Sequence, residues 1–556
     1  MSVRGLVSIV VLVTAACGGG GGGGQPSCTE GQACTAPSAC HAGTTSCASG
    51  TAVCVDAGNL PDGTSCISNG SCQAGTCKRT VSGTFRTTFW TDDGTKTTLN
   101  RMPTTVLDGT TGAPAALLVA DSSPPGYTKF PLTVDASQGF TVPGVPAGPY
   151  FLELDKTEFF AASCGAGFSV VEVTVPQLFQ QSTSTPDLEA VTAARSDLVV
   201  PASPLLQLTL DVTGMDPWTS SDQIRMASSQ ALPSFLSFPT APADGATSFS
   251  GNADWIAEGL PDASKNDVVF VYQRAASSVN VGGNAATVRR GTKFKRLTDL
   301  TVVDGTTTTA TVALEAAPQT GSVRANLASA QFAALASEVN PEAVLLGFGL
   351  SVQAVPHSSS YPDMPLNEQV GGLLTLGPSA PVNADYGTLA YPQFLDPLWK
   401  EFVSVVYNFD VASVKVNPFL LSNIPLSALP AGPMAPVVSP PKSPRVNGSN
   451  AFVKQFGVGL QPTISWSPPT IGNPTSYIVE IKAFALPCAS GQVAGVSAVI
   501  HGATSFKVPP GILMPNIGYR ATISARQAPW DTPDTGPFRT GTPLHSAQCV
   551  TAQFVP

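Results

Sequence analysis

The chain has 556 residues and a formal net charge of -9, and only 12% of its residues are charged, about half the fraction of an ordinary soluble domain. Sparse charge, together with 52 Gly and 50 Pro, excludes coiled coils and long helices, and a hydrophobic fraction of 43% excludes a disordered chain. The acidic balance, with few basic clusters, argues against nucleic acid as a partner. At about 150 residues per domain, the length predicts three to four domains.

The N-terminus has the pattern of an export signal. Arg4 supplies a positive charge, and the apolar stretch 6–13 is too short to span a bilayer, which takes about 20 residues. Small residues at 14–16 lead into Cys17 and resemble the lipobox of bacterial lipoproteins, although Thr14 stands where Leu is usual. The resemblance implies a signal peptide at 1–16. The alternative is an ordinary secretory signal that is cleaved nearby.

In lipoproteins of this kind the cysteine becomes the lipidated first residue of the mature chain, so the resemblance implies acylation of Cys17. An unbroken glycine run, Gly18–Gly24, follows directly and predicts a flexible tether over 17–27. Stable anchoring needs more than one acyl chain. We therefore expect the protein to be exported and held to a bilayer through Cys17, at the outer membrane or the cell surface.

A cysteine-dense segment follows the tether. Eight of the 12 cysteines fall within 50 residues, a density typical of disulfide scaffolds, and large apolar residues are nearly absent between them. The segment has no C-x-x-C pair, His41 is its only imidazole, and export favours oxidation, so disulfides are preferred over a zinc site. The sequence predicts a disulfide-rich module at 28–79, with a connectivity that spacing does not decide, formed by Cys28, Cys34, Cys40, Cys47, Cys54, Cys66, Cys72 and Cys77. The stretch 39–66 resembles short cysteine-rich repeats of exported bacterial proteins, where they act as spacers.

Residues 80–185 have the alternation of a β domain. Val81–Phe85 begins a strand, and Gly139–Leu154 alternates apolar and polar residues on both sides of a Pro/Gly turn, which predicts a hairpin. Both segments resemble the carboxypeptidase regulatory-like domain, a small prealbumin-type β-sandwich. The resemblance implies an accessory domain without catalytic residues.

The middle region, 190–430, resembles no family. Leu205–Val212 alternates as a strand, whereas Leu327–Val339 has apolar residues at helical spacing and predicts a helix of about three turns. Pro397–Phe402 is a candidate second helical turn. We expect a larger central β domain with one or two short helices.

The C-terminal region begins after a Pro-rich linker at 431–445, which is expected to be stiff and extended. Within 446–556, three segments resemble strands and a corner of a fibronectin type III domain: Pro462–Pro469, Tyr477–Ile481 and Leu513–Ile523. The resemblance implies a further β-sandwich.

Single residues of the C-terminal region and one leftover cysteine carry further predictions. In the fibronectin type III resemblance, Trp466 fills the core and Tyr519 is the corner tyrosine, whose hydroxyl bonds to upstream backbone. Cys488 and Cys549 are expected to pair. Cys164 is then left over, as a buried thiol, as an intermolecular or reactive thiol, or as the partner of a cysteine in the 28–79 module.

Motifs for chemistry are missing from the sequence. It contains four histidines, no G-x-S-x-G elbow, no H-E-x-x-H and no phosphate loop. We therefore expect no catalytic residues, no metal and no cofactor.

These patterns predict a mainly-β chain of tandem sandwich modules behind a disulfide-rich module. The favoured function is that of a membrane-anchored surface or periplasmic lipoprotein, which serves in binding or adhesion to a protein or glycan, or as an envelope structural component, without enzymatic activity. The alternative is an exported hydrolase whose catalytic domain is 190–430. A serine beside one of the few histidines, or a cleft with two carboxylates, would favour the hydrolase.

Overall fold

The computed structural model describes residues 28–556 with gaps, and the predicted signal peptide, Cys17 and the tether lie outside the described residues. The gaps are 37, 49–50, 68, 91–95, 102–112, 123–124, 165–166, 193–195, 200, 202–204, 229–231, 234, 238–239, 257–258, 282–283, 317–318, 357–372, 375–379, 388–394, 409–414, 417, 429–431, 485–494 and 533–542. Among the described residues, no helix has both the length and the apolar character needed to cross a membrane. The chain divides after Arg79 into two units.

The first unit is a small β structure stapled by sulfur. Its strands are β1 (Ala33–Cys34), β2 (His41–Ser46), β3 (Val53–Asn59), β4 (Ser65–Ile67), β5 (Gly70–Gln73) and the start of β6 (Thr76–Trp90). Strands β1, β2 and β3 form one antiparallel sheet, and β5 pairs with both β4 and the first residues of β6.

Disulfides replace a hydrophobic core in this unit. Apart from glycines, the buried residues in the described part of this unit are Cys40, Cys72 and Arg79. The expected four disulfides are present, and they join Cys28 to Cys47, Cys34 to Cys54, Cys40 to Cys72 and Cys66 to Cys77. Such a segment buries too little apolar surface to fold without covalent links.

The second unit contains the remainder of β6 and all later elements, and it confirms the mainly-β prediction. Its first strands are β7 (Lys96–Leu99), β8 (Ala113–Ser122), β9 (Pro125–Pro131), β10 (Gly139–Pro146), β11 (Tyr150–Cys164), β12 (Gly167–Gln181) and β13 (Leu188–Thr192). The middle region adds β14 (Leu205–Thr213), β15 (Gln223–Ser228), β16 (Leu232–Pro233), β17 (Phe235–Ser237), β18 (Ser248–Ile256), a 3-10 helix (Ala263–Lys265), β19 (Val269–Val281), β20 (Asn284–Leu297), β21 (Thr308–Ala313), β22 (Glu315–Ala316) and β23 (Gln319–Leu327).

The chain continues with α1 (Ser329–Ala334), α2 (Ala336–Val339), β24 (Val344–Pro356), β25 (Leu373–Leu374), β26 (Ala380–Gly387), β27 (Leu395–Asn408), β28 (Lys415–Val416), β29 (Phe419–Pro425) and a 3-10 helix (Leu426–Ala428). It ends with β30 (Lys442–Val446), β31 (Ser449–Asn450), β32 (Gln455–Phe456), β33 (Thr463–Ser467), β34 (Ser476–Ala483), β35 (Gly495–Ile500), β36 (Ser505–Lys507), β37 (Tyr519–Gln527), β38 (Leu544–Val550) and β39 (Phe554–Val555).

The predicted hairpin at 139–154 is wrong in its pairing. Both strands exist, but β10 pairs with β6, whereas β11 pairs with β8 and β12. The turn between them therefore crosses from one sheet to the other. Alternation identifies a half-buried strand but not its hydrogen-bonding partner. Here Phe140 of β10 and Leu152 of β11 enter the same core from opposite sheets.

The middle region contains a two-sheet sandwich, as expected for a larger central β domain. One sheet has the order β17-β18-β14-β21, and β15, β19 and β20 belong to the other. Leu208, Trp255 and Val271 are fully buried in the core between them.

The predicted helical segments have different outcomes. Residues 329–339 are helical but form two short helices that break at Leu335, and Phe332, Leu335 and Val339 pack into the core, as their spacing predicts. The second predicted helical turn, Pro397–Phe402, is wrong because these residues lie within β27. This strand pairs with β24 on one side and β29 on the other, so long-range pairing overrides local preference.

One long sheet joins all parts of the second unit. Its strand order is β25-β24-β27-β29-β38-β37-β34-β35-β12-β11-β8-β9, and it draws strands from 80–185, 190–430 and 446–556. The link between β12 and β35 is parallel, with Leu178 opposite Ala498. Residues of the same three regions also contribute to one hydrophobic core.

Candidate ligand-binding cleft

A cleft of about 510 Å³ lies where the long sheet meets strand β36. Its volume falls in the range of sites that take a small molecule or a short segment of a polymer. Its lining includes Tyr127, Phe151, Gln180, Ile500, Phe506 and Lys507.

Strand β8, beside the cleft, carries apolar side chains on both of its faces. Ala116 and Leu118 face the core shared with the C-terminal region, and Leu117 and Val119 face the core below the sheet. Successive side chains of a strand point to opposite faces, so a strand covered on both faces has an unbroken apolar run. Strand β11, next to β8, places Phe151 on the same face as Leu118, its cross-strand partner.

Three aromatic rings line the cleft. The Phe151 ring lies between the other two, with its centroid 6.4 Å from that of Tyr127 and 5.9 Å from that of Phe506, both in edge-to-face geometry. Tyr127 and Phe151 are half-buried, whereas Phe506 is buried. Such rings supply a preorganised surface for an apolar group or for a ring of a ligand.

Tyr127 spans the cleft. Its hydroxyl donates a hydrogen bond of 2.6 Å to the backbone carbonyl of Lys507. Burial raises the pKa of Tyr127 well above its usual value of about 10, so the phenol stays protonated and remains a donor. Lys507 is the one charged residue among the described residues that line the cleft.

A buried polar cluster supports one wall of the cleft. The backbone N–H of His501, next to Ile500, donates to the Gln180 side-chain oxygen at 2.6 Å. The imidazole Nε2 of His501 lies 3.8 Å from Asp531, which accepts a hydrogen bond from the Ser476 hydroxyl. The serine thus bonds to the carboxylate and not to the imidazole, so this trio does not have the geometry of a serine-hydrolase triad.

A serine does lie beside a histidine elsewhere. The Ser422 hydroxyl of β29 is 3.1 Å from Nδ1 of His545 of β38, its cross-strand partner. Burial lowers the pKa of His545 below 6.5, which keeps the imidazole neutral near pH 7. In the described part of the chain, no carboxylate contacts this imidazole. The pair places a hydroxyl beside an imidazole, but among the described residues it has no acid to orient the imidazole as in a triad.

The residues predicted from sequence lie away from the cleft. Trp466 is in the core with its ring against Tyr477, at a centroid distance of 5.1 Å. Tyr519 is fully buried, and its hydroxyl oxygen accepts a hydrogen bond of 2.9 Å from the backbone N–H of Met514. Both residues stabilise the C-terminal sandwich.

The cysteines outside the 28–79 module require one correction. Cys549 is a free thiol and not half of a disulfide, and its side chain is fully buried in the core. Its expected partner Cys488 lies outside the described residues, and so does the side chain of Cys164.

In the first unit, the sulfur atoms of Cys40, Cys66 and Cys77 lie within 4.8 Å of one another. All three belong to disulfides, which leaves no thiolate for a metal.

Sequence reasoning missed the aromatic residues of the cleft. Tyr127 of β9 and Phe151 of β11 come from strands that flank β8 in one sheet, and Phe506 joins them from β36 of another sheet. Their spacing along the chain therefore contains no signal of a site.

Comparison with known proteins adds no relative. No known protein family matches the chain. No curated protein matches it at a significant level.

Proposed function

We propose that this protein is an exported, membrane-anchored lipoprotein of the cell envelope that binds a ligand in the cleft and performs no reaction there. The observation that carries the binding function is the cleft itself, with its three aromatic rings and one charged residue, Lys507. A concave site that combines aromatic side chains with a few polar groups is the usual form of a ligand site.

Ligand binding is tested on glycan and peptide arrays with the full chain in detergent micelles. We expect Phe151→Ala to weaken binding by about tenfold or more, because aromatic anchors carry much of the energy of a binding site. The matched control is Phe456→Ala, which removes a ring that is 70% exposed and does not line the cleft. Equal binding by both variants, or no binding to either array, would contradict the proposal.

The anchor is the second part of the proposal. The lipobox-like segment and the glycine tether support acylation of Cys17, and the disulfides of the first unit suit an oxidising compartment. We expect incorporation of labelled fatty acid into the full chain and its loss in Cys17→Ser. Protease treatment of intact cells then distinguishes an outward-facing from an inward-facing protein. Equal labelling of both chains would remove the anchor at Cys17.

We also infer that 80–185 is a carboxypeptidase regulatory-like sandwich and that 446–556 is a fibronectin type III-like sandwich. The opposed strands β6 and β11 around one core support the first inference. The bond between Met514 and Tyr519 has the form of a tyrosine corner and supports the second. In envelope proteins such sandwiches present loops and edges to partners, while their cores stay rigid.

A second candidate function is hydrolysis, and the Ser422–His545 pair is the observation that favours it. A fluorophosphonate probe that labels activated serines tests this candidate. Labelling that is lost in Ser422→Ala would establish a reactive serine. Absence of labelling in the wild-type chain would remove the candidate.

A further inference from the structure

Strand β36 has an open edge beside the cleft. It ends the four-stranded sheet β31-β30-β33-β36, and in the described part of the chain only β33 pairs with it. Strand edges with unpaired backbone groups are templates for an added strand.

The direction of the backbone groups follows from two hydrogen bonds at the ends of β36. Trp466 donates its N–H to the carbonyl of Thr504, and Val508 donates its N–H to the carbonyl of Pro462. Residues 504, 506 and 508 therefore turn their backbone groups toward β33, because the pattern alternates along an antiparallel strand. Ser505 and Lys507 turn theirs outward.

The bond from Tyr127 confirms this direction independently. The carbonyl of Lys507 faces away from β33, where it accepts the hydrogen bond of the Tyr127 hydroxyl. The outward N–H and C=O of Ser505 and the N–H of Lys507 have no partner among the described residues. The cleft lined by Tyr127 and Phe151 lies beside this edge.

We propose that the cleft takes an extended peptide, which adds to β36 as a fifth strand; this inference rests on the proposed binding function. Main-chain bonds to the N–H and C=O of Ser505 and to the N–H of Lys507 hold the peptide, as in other complexes formed by strand addition. Because side chains alternate across a strand, a peptide side chain opposite Phe506 enters the cleft and contacts the ring of Phe151.

Charge selects the neighbouring side chain of the peptide. Lys507 is half-buried, and it is the one charged residue among the described residues that line the cleft. A carboxylate at the position beside Lys507 therefore forms an ion pair, whereas a basic side chain is disfavoured. The preferred ligand is an extended segment with an apolar side chain next to an Asp or Glu.

The probe is a random decapeptide display library, selected against the full chain in detergent micelles. We expect enrichment of acidic–apolar peptides, and about tenfold weaker binding of the selected peptides to Ser505→Pro. Proline removes an outward N–H that the fold does not use, so it is tolerated at an edge. Ser505→Ala removes the same hydroxyl but keeps the N–H. The loss of affinity in Ser505→Pro beyond that in Ser505→Ala therefore measures the main-chain hydrogen bond.

A second variant keeps the test decisive if Ser505→Pro does not fold. Lys507→Glu is expected to shift the enrichment from acidic to basic peptides. Two results would overturn the inference: no enriched peptide, or enriched peptides that bind wild type, Ser505→Pro and Lys507→Glu equally. Glycan binding that depends on Phe151 without peptide binding would overturn strand addition but keep the proposed binding function. Loss of both would overturn the two together.

Discussion

The disulfides of the first unit give a graded prediction, because they close loops of different length. Cys40 and Cys72 are 32 residues apart, whereas Cys66 and Cys77 are 11 apart. Loop-closure entropy makes the longer link worth about 3.7 kcal/mol and the shorter about 2.8 kcal/mol at 25 °C. Cys40 and Cys72 are also fully buried, while Cys66 and Cys77 are half-buried, so loss of packing acts in the same direction.

The perturbation is removal of one pair at a time, as Cys40→Ala with Cys72→Ala and as Cys66→Ala with Cys77→Ala. The assay is the cleavage rate of the first unit in the full chain, measured over a range of urea concentrations. When opening is fast relative to cleavage, this rate follows the open population. A difference of about 1 kcal/mol predicts cleavage about fivefold faster in the variant that lacks Cys40 and Cys72.

Equal cleavage of the two double variants, or faster cleavage of the one that lacks Cys66 and Cys77, would contradict this prediction. Either result would show that loop length and burial do not set the stability of this unit. The wild-type chain treated with reductant provides the control, because it loses all four links and should be cleaved fastest.

Three further predictions concern the second unit. Tyr519→Phe removes the acceptor of the Met514 N–H and should lower the free energy of unfolding by about 1–2 kcal/mol in urea titrations; an unchanged midpoint would contradict the corner role. Burial lowers the pKa of His545 in the folded state, so the free energy of unfolding should fall as pH drops below about 6.5. His545→Gln should reduce that fall, and parallel pH profiles of the wild type and this variant would contradict the prediction. Burial raises the pKa of Cys549 to about 12, so iodoacetamide should modify it only after denaturation; rapid labelling of the folded chain would exclude this burial.

The sequence alone determined the local character of most segments. Eight cysteines with few large apolar residues between them predicted a disulfide module, because such a segment cannot bury enough apolar surface to fold without covalent links. Alternation predicted strands at Val81–Phe85 and Leu205–Val212, which lie within β6 and β14. Helical spacing predicted the apolar face of 329–339. These properties depend on near neighbours in the chain, so a pattern is enough to find them.

Tertiary structure alone decided which segments meet. It separated the two strands of the expected hairpin into different sheets, made a strand of Pro397–Phe402, and left Cys549 as a free thiol in the core. It also formed the cleft, because Phe151 and Phe506 are far apart in the chain and meet only where two different sheets pack together. The unpaired backbone groups at the edge of a strand can bond to any other strand. Which strand pairs with which therefore depends on packing over the whole fold, and a local sequence pattern does not contain that information.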